Sequence, residues 1–178
     1  MAFNINEIKS QLQFGGARGN LFQVTFSNPA NNAGFLKVPV MVTGTAIPSQ
    51  EVGDIPVWFM GRQIKVAGDR APFQPWNVEV MNDEDFLIRN GLEEWHNRIN
   101  GMESNVRSLN NYKSEAQVIQ YAKDGSILRT YNFHGIWPGQ IGEIRLSWQD
   151  NNTIETFPVS FNFDWWTVSG KTGDAGGL

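Results

Sequence analysis

The sequence predicts a mainly β domain of the α+β class, a small antiparallel barrel or sandwich with one flanking α-helix. Three observations predict it. Several runs alternate apolar and polar residues with a period of two. One stretch carries apolar residues at helical spacing. An Asp-Gly pair separates two alternating segments.

Residues 1–19 read as an N-terminal arm closed by Gly15-Gly16-Ala17-Arg18-Gly19, and it lacks the apolar core of a signal peptide. The β domain is expected over 20–166 and a Gly-rich tail over 167–178. Residues 21–26 are a short β-prone run, and 28–34 a loop. The apolar run 35–42 reads as a strand pushed to an edge or bulge by Pro39. Residues 44–62 read as a long apolar loop containing Pro48 and Pro56, and 63–67 and 76–81 read as strands. Within the latter, Trp76, Val78 and Val80 share one face, with Asn77 and Glu79 on the other.

A helix is expected near 83–99, because Ile88, Leu92, Trp95 and Ile99 fall on one stripe. Asn82 is the expected N-cap. Asp83, Glu84 and Asp85 then lie where a helix dipole favours carboxylates, and Asn100-Gly101 ends the helix. Two hairpins follow. One runs from 116–122 through Asp124-Gly125 to 127–133; the other runs from 143–148 through Asp150-Asn151-Asn152 to 154–165. On the last strand Phe157, Val159, Phe161, Phe163 and Trp165 oppose Thr156, Ser160, Asn162 and Asp164. One face belongs to a core and the other to water.

The chain has 178 residues, 18% charged and 12% aromatic, including 7 Trp and 12 Phe. Few charges and many aromatics point to a surface that is partly buried against partners. A net charge of −4 argues against gripping nucleic acid, which requires excess Lys and Arg. Without cysteine there are no disulfides or thiolate metal sites, and no apolar run is long enough to span or anchor in a membrane.

Chemistry has little to work with. His96 and His134 begin no ligand spacing, and no Ser stands in a G-x-S-x-G turn. Gly170-Lys171-Thr172 resembles the end of a phosphate loop, but Trp165 stands where that loop needs its first glycine. The acidic triplet 83–85 lacks the spacing of a calcium loop. No catalytic residue, cofactor or metal is expected.

Several blocks carry a resemblance. They are Asn20-Leu21-Phe22-Gln23-Val24; Gly61-Arg62-Gln63-Ile64-Lys65-Val66-Ala67-Gly68-Asp69-Arg70; and Trp76-Asn77-Val78-Glu79-Val80-Met81-Asn82-Asp83-Glu84. Gly135-Ile136-Trp137-Pro138, Ile141-Gly142-Glu143-Ile144 and Asn151-Asn152-Thr153-Ile154-Glu155-Thr156-Phe157 follow. In this order they resemble the tail-tube proteins of T-even-type contractile-tailed phages. The loop 28–34 and the tail after Trp166 depart from that pattern.

The resemblance implies a fold similar to the haemolysin-coregulated proteins of type VI secretion. It implies a hexameric ring with a continuous inner β-barrel, and rings stacked into a rigid tube inside a contractile sheath. The tube is driven through the host envelope, and double-stranded DNA passes along the lumen without specific binding. Implied partners are copies of the chain itself, the tail sheath protein, and baseplate and tail terminator proteins. The implied location is the virion tail, after assembly in the host cytoplasm.

Free strand edges and a polar strand face fit such a ring. Glu143, Ser147, Thr156, Ser160 and Asn162 are the expected lumen positions. Ile47, Val52, Asp54, Ile55, Val57, Trp58, Asp69 and Arg70 are the expected ring-to-ring contacts. The competing readings are a tailocin or type VI-like tube, a baseplate protein that starts the tube, a monomeric carbohydrate-binding sandwich, and a hydrolase.

Overall fold

A computed structural model describes residues 5–12, 15–29, 34–107 and 110–170. The Gly-rich tail beyond Gly170, the start of the N-terminal arm and most of the 28–34 loop lie outside them. In chain order the elements are α1 (Ile5–Gln11), β1 (Phe22–Phe26), a 3-10 turn (Gly34–Lys37), α2 (Val38–Met41) and β2 (Val42–Thr45). Then come β3 (Val52–Phe59), β4 (Arg62–Arg70), β5 (Trp76–Met81) and α3 (Leu87–Ile99). The chain ends with β6 (Ser114–Tyr121), β7 (Ile127–Ile141), β8 (Thr156–Asn162) and β9 (Trp165–Ser169).

The mainly β, antiparallel architecture is as the sequence predicts. Seven strands pair in the order β1-β6-β7-β8-β5-β2, with β9 also on β7, and β3-β4 form a separate two-stranded sheet. β7 joins two layers. Its first half pairs with β6 and β9, and its second half, Trp137 to Ile141, pairs with β8. The strand bends at Gly135, whose φ of 68° suits glycine.

The two layers close on an aromatic core. Trp76 stacks on Phe133 with ring centroids 4.5 Å apart, and Phe161 contacts Trp76, Phe26 and Trp95. The buried indoles keep hydrogen bonds: Trp76 Nε1 donates to Thr45 Oγ1, and Trp95 Nε1 to the Tyr112 carbonyl. α3 contributes Ile88, Leu92 and Trp95 to this core, and Ile99 packs at its margin, the stripe read from sequence.

Four local expectations need correction. Asn82 does not cap α3. It is buried before the helix, and its side-chain amide donates to Glu155 Oε1 at 2.7 Å. Phe86, in the left-handed region, is the N-cap residue, and Asp85 Oδ1 accepts the Leu87 amide instead. Residues 35–41 form the 3-10 turn and α2 rather than a strand, with Pro39 in the first turn of α2, where its missing N–H costs nothing. The 44–62 stretch is not a loop throughout: residues 52–59 are β3. Finally, residues 143–148 do not form a strand. β8 pairs with the far end of β7, and residues 142–155 are the connection between them.

Candidate assembly surfaces

The first surface is the layer β7-β8-β5-β2. Its inward residues, Phe157, Val159, Phe161, Trp76, Val78 and Val80, are buried. Its outward face is bound by side-chain hydrogen bonds between strands. Ser160 and Asn77 pair at 2.6 Å, and Thr156 Oγ1 donates to Glu79 Oε1 at 3.0 Å. Gln74, Pro75, Asn77, Gly139, Gln140, Ser160 and Asn162 line a shallow open depression there. β2, β5, β8 and the paired end of β7 contain no Lys or Arg, and Glu79 is their one charged residue.

Among the described residues this layer has two free edges. β2 ends the strand order on one side. On the other, β6 leaves β7 at Ile136, so Trp137 to Ile141 has β8 alone as partner. Pro138 is tolerated on such an edge.

Of the sequence-predicted lumen residues, Thr156, Ser160 and Asn162 stand on β8, on this outward polar face. Glu143 and Ser147 do not; they lie in the 142–155 connection.

The second surface is the β3-β4 hairpin. Met60 and Gly61 both take positive φ, 45° and 80°, the geometry of a two-residue turn that suits strand twist. Both strands are exposed almost throughout, and they pack chiefly on each other. The register sorts their faces. Ile55 faces Val66 and Val57 faces Ile64, so one face carries two apolar pairs. Trp58 opposite Gln63, Pro56 opposite Lys65 and Asp54 opposite Ala67 make the other, where Lys65 pairs with Asp54 at 2.7 Å.

Val52, Asp54, Ile55, Val57, Trp58, Asp69 and Arg70 therefore all sit on one projection. Ile47 does not; it packs at the margin of the core. Sequence reading missed Ile64 and Val66 as surface residues. Their alternation in 62–70, matched to that of 52–59, is the signal that finds them.

Outside these surfaces the polar groups do structural work. Lys37 joins Asp83 and Asp85. Their hydrogen bonds hold the Lys37 ammonium above its ordinary value. Asp85 lies below the usual carboxylate range, first through Lys37 and then through the Leu87 amide. Lys113 is raised in the same way by Asp164 at the β8–β9 corner. His134 stacks on Trp165 and lies 3.4 Å from both Glu115 and Thr167. No group of three or more His, Cys, Asp or Glu among the described residues could hold a metal ion.

The profile of the family described as "Phage tail tube protein" matches residues 7–169. The chain belongs to that family. It is 39% identical over 153 residues to "Tail tube protein gp19" of Enterobacteria phage T4, covering 84% of this chain and 90% of that one. It is 26% identical over 166 residues to the tail tube protein of Serratia phage KSP90, covering 89% and 93%. In fold it is similar to a chain of the anti-feeding prophage baseplate. There the TM-score is 0.61 at 12% identity, over 86% of this chain and 95% of that one. It is also similar to a chain of the PVC sheath-tube complex, an extracellular contractile injection system. That TM-score is 0.55 at 12% identity, over 95% and 99%.

Proposed function

We propose that this chain is the repeating subunit of a contractile-tail tube, a structural protein whose work is assembly. Hexameric rings form when the free edge of β2 in one copy meets the free β7 edge of its neighbour, which removes both edges by closure. The layer β7-β8-β5-β2 then becomes one segment of a continuous inner barrel. Its polar face, with Thr156, Ser160 and Asn162, lines the lumen, and Glu143 and Ser147 stand towards its mouth. The observation that carries this reading is a sheet with two free edges and a polar face devoid of Lys and Arg.

That face suits the passage of double-stranded DNA. A basic wall would displace counterions from the phosphates and hold the DNA, whereas a neutral or acidic one lets it slide. Rings stack through the hairpin, with Val52, Asp54, Ile55, Val57, Trp58, Asp69 and Arg70 in the contact and Ile47 bracing its root. The tail sheath surrounds the tube, baseplate and terminator proteins bound its ends, and it resides in the virion tail after assembly in the host cytoplasm. No enzymatic step is assigned.

The test places Lys at Thr156, Ser160 and Asn162 together. Tubes of normal diameter are expected, with genome ejection slowed strongly at low salt and recovering as salt rises. Ejection at the wild-type rate from such tubes would remove these residues from the lumen.

A further inference from the structure

The 142–155 connection carries an apolar surface that the proposed function leaves unassigned. Leu146 is 81% exposed, Trp148 102% and Ile154 65%. Its two ends are held firmly. Arg89 Nη1 donates to the Gly142 carbonyl at 2.7 Å, and the Asn82 backbone and side-chain amides both donate to Glu155. The residues between these ties present three large apolar side chains to solvent, including a whole indole. Such a surface marks a contact.

Topology says where it faces. The connection leaves the sheet at Ile141 and returns at Thr156, which stands opposite Met81 at the C-terminal end of β5. The β3-β4 hairpin leaves after Thr45 and returns to Trp76, at the N-terminal end of the same β5. The two exposed apolar projections thus lie at opposite ends of one sheet. With 8 residues in β3, the hairpin is long enough to extend about 26 Å from its root.

Charge runs the same way. Arg62, at the hairpin turn, makes no ion pair among the described residues. The opposite end bears Asp83, Glu84, Asp85, Glu143 and Asp150. Lys37 is paired with Asp83 and Asp85, and Arg89 with Glu93, which leaves Glu84, Glu143 and Asp150 against Arg145.

We propose that the 142–155 connection is the receiving surface for the β3-β4 hairpin of a second copy of this chain in the next ring. The inference rests on the tube reading and gives the tube its polarity. Two different, complementary ends make a head-to-tail contact that repeats without limit, whereas a self-complementary end would stop at a pair of rings. Trp148 and Leu146 act as anchors, packing against the hairpin face formed by Ile55, Val57, Ile64 and Val66.

The chain has no cysteine, so introduced pairs report without background. Copies carrying I64C or M60C are co-assembled with copies carrying L146C or W148C, then oxidised. The expected result is disulfide dimers in the mixtures and none from either variant alone. In parallel, L146D/W148D is expected to give folded single rings, with stacking weakened by about tenfold or more. Both side chains are exposed, so an unchanged circular dichroism spectrum and melting temperature establish that the subunit is intact. Tubes of wild-type length from L146D/W148D, or tubes that form without cross-linking in any pair, overturn this contact and leave the tube reading standing. A wild-type chain that forms neither rings nor tubes overturns the tube reading itself.

Discussion

At position 91 the packing admits only a hydrogen. A Cβ there would lie 2.5 Å from Cε2 of Phe35, and the Gly91 carbonyl accepts a hydrogen bond from buried Asn28 at 2.8 Å. Gly91→Ala is therefore expected to lower stability by about 1–3 kcal/mol through overpacking, despite alanine's better helix propensity. A urea titration against wild type checks it; an unchanged or raised midpoint would show that Phe35 yields freely. The Lys37 cluster makes a pH prediction. The folded-state pKa of Asp85 is depressed, so its contribution is present above the ordinary carboxylate range and lost as pH falls through the lowered value. Lys37 is raised, so its contribution is present below the ordinary ammonium pKa and lost as pH climbs past the raised one. The stability difference between wild type and Lys37→Met should be flat from about pH 5 to about pH 9 and shrink below about pH 4. Melting temperatures across that range test it, and a difference that persists at pH 2 would contradict it.

Elements differed in how clearly the sequence announced them. β5 and β8 were legible because one face of each is buried, so composition alternates with every residue. α3 was legible from its stripe, and the β6-β7 turn from Asp124-Gly125, where Gly125 takes a φ of 80°. The hairpin was half hidden. Neither of its faces meets the core, so burial imposes no pattern on it, and Gly53 and Pro56 look like breakers. The length of β7 was hidden for a similar reason: Gly135 and Pro138-Gly139 read as a stop, yet they bend the strand between two layers and mark its free edge. Asn82 shows the limit at a helix start, since a cap and a buried hydrogen-bonding amide look alike in sequence. At this scale the independence of the hairpin is testable. Replacing residues 52–70 with a short Gly-Ser linker should leave the melting temperature within about 5 °C, because the deleted residues contribute little to the core. The same variant should form no stacked tubes. A collapse of the fold would instead place the hairpin within the cooperative unit.

The whole molecule is a sandwich that is complete inside and unfinished outside. Its aromatic core is closed, while the β2 edge, the outer end of β7, the β3-β4 hairpin and the 142–155 connection are among the features left unpaired or exposed in a single copy. In the proposed tube, ring closure covers these two edges and stacking covers the two apolar projections, all of which a monomer would leave exposed. The pattern also explains which sites the sequence revealed. The polar positions proposed for the lumen on β8 follow strand alternation, and the hairpin alternates too, whereas the exposed residues of the 142–155 connection lie outside any strand and leave no periodic trace. The most direct test of the central claim is electron microscopy of the purified full-length chain in negative stain, with light scattering on the same sample. The account predicts hollow rings of uniform diameter and six-fold symmetry, stacking into tubes as concentration rises. A species that stays monomeric at every concentration and salt would contradict it.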